Sequence, residues 1–179
     1  MKYLILSILT IFSNLSYSQN LVEIEKQLLI LVNDERASRS LTTFITDSLI
    51  NNAAKIHAKY LSTIMSFTQV SHTNPNPKYK TASDRIKIGS NLKYSISSEN
   101  ITAFTYDPTK TDLEIAIQAH TNFMESKYHK MNVLKEGIDV FDEGFISPSH
   151  YGHCVVYNER INAIIVVQMF PSLNYGYAP

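Results

Sequence analysis

The residues near the C-terminus constrain the fold more than any others. Positions 163–170 are almost all apolar, and positions 164–167 are β-branched and apolar without alternation. A strand with one solvent-exposed face alternates apolar and polar residues. A continuous apolar run therefore predicts a strand that is buried on both faces. A second apolar run, 154–157, precedes it across the polar segment 158–162. We therefore predict an antiparallel hairpin with a polar turn.

The first half of the chain indicates helices. Apolar residues recur at helical spacing over 21–36 and again over 49–64, where Asp47 or Ser48 can cap the helix start. A short helical turn is expected over 83–88. Thr111 and Glu114 form a capping box at the start of a further helix. With a weakly alternating segment at 99–104 as a strand, the pattern is that of an α+β layered domain.

The N-terminal residues are typical of a secretory leader. Met1-Lys2 is a short basic start, 3–15 is nearly all apolar, and Ser16 and Ser18 offer small residues for cleavage. The apolar run is shorter than the ~20 residues of a membrane-spanning helix. We predict a signal peptide over 1–18, one domain over 19–179, no transmembrane segment after its removal, and a secreted or periplasmic protein.

Composition narrows the function classes. The 179 residues carry 16 Lys and Arg against 16 Asp and Glu, so no net field favours nucleic acid as a partner. The single cysteine, Cys154, excludes an intramolecular disulfide. An exported domain without disulfides depends on its core or on a bound ion. The apolar run around Cys154 favours a buried thiol over a nucleophile.

Several short motifs occur in a fixed order. They are 31–36 (LVNDER), 53–58 (AAKIHA), Ser71-His72, Asp84-Arg85-Ile86 with Gly89, Glu99-Asn100-Ile101, the Ser126-x-x-His129-x-x-Asn132 spacing, and 166–170 (VVQMF). Together, over about residues 25–170, they resemble the CAP domain of cysteine-rich secretory proteins, antigen 5 and plant pathogenesis-related 1 proteins, in its bacterial branch. The resemblance implies a three-layer α-β-α sandwich with a central, largely antiparallel sheet. Phe123 stands where family members usually carry Trp.

The resemblance also implies a cleft that can hold a divalent metal. Carried over by position, its ligands are His72, Glu99 and His129, with Glu125 as a fourth candidate. Imidazole and carboxylate groups suit zinc, and a helix through Glu125 and His129 would place both on one face. Asp84, Arg85, Asn100, Ser126 and Asn132 are expected to support the site. Of these, Asp84 and Arg85 are expected to form a structural ion pair, and Asn100 to orient backbone.

Three functions remain open on these residues. The first is a secreted binding module whose His/Glu cleft can hold a cation and whose ligand is a lipid, a glycan or a protein. The second is a metal-dependent, peptidase-like hydrolase with Glu99 or Glu125 as general base. The third is a structural or surface interaction protein in which the cleft is vestigial, since the same side chains could form a hydrogen-bond network without metal.

Overall fold

The computed structural model describes residues 21–135 and 150–173. The predicted leader 1–18 and the uncertain segment 136–149 lie outside the described residues. The helices are α1 (21–38), α2 (Ser48–Leu61), α3 (Ala82–Gly89), α4 (Asp112–Glu125) and α5 (Lys127–Leu134), with short 3₁₀ turns at Phe67–Gln69 and Pro77–Tyr79. The strands are β1 (Ile45–Thr46), β2 (Tyr94–Thr105), β3 (His150–Asn158) and β4 (Ala163–Leu173).

Side-chain caps fix where three helices begin. Asp47 accepts a hydrogen bond from the Leu49 amide at the start of α2. Thr111 and Glu114 form the predicted capping box of α4. Thr81 and Asp84 form a second capping box at α3, which was not anticipated. Each cap gives helix-start amides a partner that the helix itself cannot supply.

Within the described residues the strands form one sheet in the order β1-β3-β4-β2. β4 pairs antiparallel with β3 on one side and with β2 on the other, whereas the two-residue β1 pairs parallel with the start of β3. The β3–β4 hairpin confirms the sequence prediction. β2 is longer than the predicted 99–104, and β1 lies between the first two predicted helices, where no strand was predicted.

Side chains of β4 enter two separate cores. Ile164, Val166 and Phe170 pack in a cluster with residues of α1, α4 and α5. Ile165 and Val167, which point the other way, pack in a cluster with residues of α2 and α3. The continuous apolar run therefore reflects burial on both faces, as predicted. The result is a three-layer α-β-α sandwich with a largely antiparallel central sheet.

Two polar residues of α1 hold the layers together. The side-chain amide of Asn33 exchanges two hydrogen bonds with the Phe44 backbone, at 2.7 and 3.0 Å. Arg36 donates to the carbonyls of Thr42 and Val133 at 2.7 Å, and its guanidinium lies over the Phe44 ring. The Asn and Arg of the first motif are thus tertiary contacts that tie α1 to the next segment and to the end of α5.

No helix in the stretches 21–135 and 150–173 combines the length and the apolar character that crossing a membrane requires.

Candidate functional site

β2 is the edge strand of the sheet beside which the predicted site residues gather. Glu99 and Asn100 are consecutive on β2, so their side chains leave on opposite faces of the sheet. Their partners on β4 are Met169, which belongs to the α2/α3 core, and the neighbouring Gln168. Glu99 therefore faces the layer of α2 and α3, and Asn100 faces the layer of α1, α4 and α5.

On the α2/α3 side, Glu99 meets His72. The Nδ1 atom of His72 lies 3.0 Å from Oε2 of Glu99. The Glu99 side chain is only 2% exposed, whereas the His72 side chain is 59% exposed. A carboxylate can only accept a hydrogen bond, so the ring hydrogen lies on Nδ1 of His72. A buried carboxylate thus orients a solvent-facing imidazole.

Arg85 donates a hydrogen bond to the other carboxylate oxygen of Glu99. Its Nη2 atom lies 2.6 Å from Oε1 of Glu99, and the Arg85 side chain is fully buried. The expected Asp84–Arg85 ion pair is not the contact that forms. Asp84 instead accepts hydrogen bonds from the amide and hydroxyl of Thr81, because it closes the capping box of α3. Those bonds hold the pKa of Asp84 below its usual value.

On the opposite face, Asn100 organises a buried amide network. It donates to the backbone carbonyl of His129 at 3.0 Å and to Oε1 of Gln168 at 3.1 Å. Its own oxygen accepts from Asn132 at 2.8 Å. The side-chain amide of Gln168 in turn donates a hydrogen bond to the hydroxyl of Tyr151. Asn100 and Asn132 therefore support α5, in agreement with the expectation that Asn100 orients backbone.

The second predicted ligand, His129, lies half-buried on α5. Its ring packs edge-on against Phe123 with the ring centroids 5.6 Å apart. Burial lowers the pKa of His129, and the charge of a nearby His72 lowers it further. His72 thus affects the pKa of His129, although the hydrogen bonds that position the two residues lie on opposite faces of the sheet.

Glu125 stands apart from this arrangement. It is the last residue of α4 and is exposed, and Ser126 has an extended backbone between α4 and α5. The condition for placing Glu125 and His129 on one face, a helix that runs through both, is therefore not met. The helix is interrupted at Ser126, whose backbone is extended. The next helix, α5, begins after it, and the Ser126 carbonyl accepts a hydrogen bond from the Lys130 amide. The hydroxyl of Ser126 makes no capping hydrogen bond to α5.

A metal ion fits these residues poorly. Across 21–135 and 150–173, no three His, Cys, Asp or Glu side chains come together closely enough to hold one. The pair that does meet, His72 and Glu99, has its carboxylate engaged by Arg85. The set of His72, Glu99, His129 and Glu125 as metal ligands stays a prediction, and we derive no chemical step through a metal.

His57 is a packed residue beside the pair. It is fully buried in α2, and its Nε2 lies 2.8 Å from the Ser71 carbonyl, next to His72. Burial lowers the pKa of His57, and the Glu99 carboxylate opposes that shift. His57 therefore fixes the backbone that carries His72. The apolar setting of His57 in the sequence already favoured packing over ligation.

A concavity lies away from the His72–Glu99 pair, and sequence analysis did not predict it. It is a groove of ≈ 1010 Å³ between α1, α2 and β3. Outward amides of β3 find side-chain acceptors there: His153 donates to Asn51, and Val155 donates to Glu25 at 2.7 Å. Burial, together with the nearby Glu25, raises the pKa of the Cys154 thiol in this groove to about 12. Cys154 packs in the α2/α3 cluster, whereas His153 stacks on Tyr151 of the other cluster, because consecutive residues of a strand point to opposite faces.

Comparison with solved structures identifies the architecture. An extracellular protein of Bacillus anthracis that contains an SCP domain superimposes with a TM-score of 0.58 at 22% identity, over 87% of this chain and 42% of the Bacillus chain. This chain has the bacterial CAP (SCP-like) fold. No family model matches its sequence, and no curated protein does either.

Two further structures are similar to this CAP fold. An outer surface protein of Borrelia burgdorferi has a TM-score of 0.62 at 16% identity, over 85% of this chain and 94% of that protein. A cysteine-rich secretory protein of Staphylococcus aureus has a TM-score of 0.48 at 12% identity, over 86% of this chain and 39% of that one. The chain thus spans most of the Borrelia protein but less than half of the Bacillus and Staphylococcus proteins.

Proposed function

We propose that this protein is an exported binding module that receives its ligand at the cleft beside β2, with His72 as the contact residue. The observation that carries the proposal is the contrast within one pair. The imidazole of His72 is largely solvent-facing, yet its Nδ1 is held at 3.0 Å by a carboxylate that is almost fully buried. Burying a carboxylate is costly, and a histidine that only covers the surface does not need one.

Export is supported by two independent features. The sequence of 1–18 has the layout of a secretory leader. The fold is similar to that of proteins described as an outer surface protein and as an extracellular SCP-domain protein. We propose a secreted or periplasmic location, with a lipid, a glycan or a protein as the ligand class to be tested.

Binding can be tested with His72 as the reporter. Histidine-labelled protein is screened by NMR against lipid vesicles, soluble glycans and a peptide library. We expect one class to shift the His72 resonances and His72→Ala to weaken its binding at least tenfold. His150→Ala is the matched control, because His150 pairs with β1 at the far edge of the sheet. Binding that His72→Ala leaves intact would reject the cleft as the binding site.

Cation binding stays a separate prediction from the sequence. It is tested by metal analysis of the purified protein beside His72→Ala and His129→Ala. Equal and negligible zinc in the wild type and both variants would reject the prediction of cation binding. A zinc content that falls in both variants supports it. Metal-dependent hydrolysis likewise stays a prediction, and no contact at Glu99 or Glu125 favours it.

A further inference from the structure

Arg85 is the most heavily bonded side chain of the cleft. It is fully buried, and its two terminal nitrogens donate four hydrogen bonds. Nη1 reaches the carbonyls of Tyr79 and Lys80 at 2.9 and 3.2 Å. Nη2 reaches the His72 carbonyl at 3.2 Å and Oε1 of Glu99 at 2.6 Å. One guanidinium therefore holds both the backbone of His72 and the carboxylate that orients the His72 ring.

We propose that Arg85 is the resident cation of this cleft and the positioning residue for His72, so that His72 is oriented without a bound metal ion. The proposal rests on the proposed function, in which His72 contacts the ligand. Arg85 acts through Glu99 and through the His72 backbone. It does not itself meet the solvent, since its side chain is 0% exposed.

Charge balance supports a resident cation. The ionised Glu99 and the guanidinium of Arg85 cancel within one buried, hydrogen-bonded pair. A divalent ion that used Glu99 as a ligand would have to share the carboxylate with Arg85 at close range, and removing either partner of a buried pair leaves an uncompensated charge. His129 adds no anionic donor. Within 21–135 and 150–173, the carboxylate that contacts His72 is thus already engaged by Arg85.

The same geometry defines what His72 can recognise. With a ring hydrogen on Nδ1 and directed at Glu99, the uncharged form of the imidazole has its lone pair on Nε2. The exposed ring then accepts a hydrogen bond at Nε2. The ligand chemistry that fits this lone pair is a hydrogen-bond donor, such as a hydroxyl or an amide N–H.

The ring nitrogen shifts of His72 test this inference in the wild-type protein. Histidine labelled with ¹⁵N is measured after exhaustive treatment with a chelator. We expect His72 in a single Nδ1–H tautomer, unchanged when an equimolar amount of zinc is added. A tautomer that becomes defined only when zinc is present would overturn the proposal.

Variants of Arg85 then test whether Arg85 itself, and not only the surrounding fold, sets the tautomer of His72. Arg85→Met should leave His72 as a mixture of tautomers, and Arg85→Lys should restore the Nδ1–H form in part, since a lysine supplies charge but not a fork. An unchanged single tautomer in folded Arg85→Met would contradict the positioning role. If Arg85→Met does not fold, the chelated wild-type measurement still decides the case.

Zinc titration provides a second readout. Loss of a partner that orients a metal ligand typically lowers metal affinity roughly 10–100-fold. We expect Glu99→Gln to change zinc affinity no more than the control Glu159→Gln, which lies in the β3–β4 turn. A selective loss in Glu99→Gln would restore Glu99 as part of a metal site. Failure of the ligand screen would leave both readouts untouched, so the two proposals fail independently.

Discussion

At the scale of single residues, buried polar side chains of this protein form hydrogen bonds to specific backbone carbonyls. Asn158 is fully buried and donates to the carbonyls of Leu61 and Ile64 at 3.0 Å, which closes the end of α2. His153 is nearly as buried, and its Nε2 lies 2.9 Å from the Glu25 carbonyl. Asn158 is tolerated inside because these bonds replace those that it loses from water, whereas His153 keeps a partner at Nε2 and has none at its buried Nδ1.

Burial of His153 makes stability depend on pH. Burial lowers its pKa to about 4 in the folded protein, from 6.5 when it is exposed. Between these values the unfolded chain binds more protons, so stability falls as the pH drops from 6.5 to 4, by up to roughly 3 kcal/mol. We expect urea unfolding of His153→Gln to show a shallower loss over this window. The raised pKa of the neighbouring Glu25 acts in the opposite direction. Parallel pH profiles for the two proteins would refute the assignment to His153.

At the scale of elements, α2 and α3 meet at a close backbone crossing. Gly89, the last residue of α3, lies so near α2 that an added Cβ would approach the Cβ, Cα and N of Ala53 to 2.7–2.8 Å. Two of these atoms are backbone and cannot rotate away. The small residues of the second motif, Ala53 and Ala54, are thus a packing requirement, since both are fully buried.

Gly89→Ala should therefore destabilise the protein despite the better helix propensity of alanine. Overpacking against backbone typically costs about 1–3 kcal/mol. Chemical denaturation of the variant measures it. Lys87→Ala, at an exposed position of the same helix, is the control and should change stability by less than about 0.5 kcal/mol. A neutral or stabilising Gly89→Ala would mean that the two helices separate easily.

At the scale of the whole molecule, one strand couples two cores. Ile164 lies in the cluster beneath α1, α4 and α5, whereas Ile165 lies in the cluster beneath α2 and α3. Both side chains are almost fully buried. Because β4 pairs with strands on both sides and contributes to both cores, neither helical layer has an independent scaffold. The three layers should unfold together.

Ile164→Val and Ile165→Val test this coupling. Each removes one buried methylene and should cost about 0.5–1.5 kcal/mol. We expect both variants to keep a single unfolding transition, with backbone and aromatic circular dichroism changing at the same denaturant concentration. Separation of the two signals in either variant would show that one layer unfolds without the other.

The sequence by itself determined the local features of this protein. The resemblance to the CAP domain implied the sandwich. From the residues themselves, the unbroken apolar run of β4 indicated burial on both faces, and the Thr111–Glu114 pattern located the start of α4. These features depend on neighbours within one turn or one strand, so spacing reveals them. Spacing alone left open whether one helix runs through Glu125 and His129, and the structure has a break between them at Ser126.

Only the tertiary structure decided how the cleft is held. Arg85 and Glu99 are 14 residues apart, and His72 and Glu99 are 27 apart. Nothing in the spacing distinguishes a guanidinium that pairs with its neighbour Asp84 from one that reaches across to β2. The choice follows from burial, because Asp84 is satisfied by the capping box in water-accessible surroundings, whereas Glu99 is carried inside by its strand and requires a fixed counter-charge there.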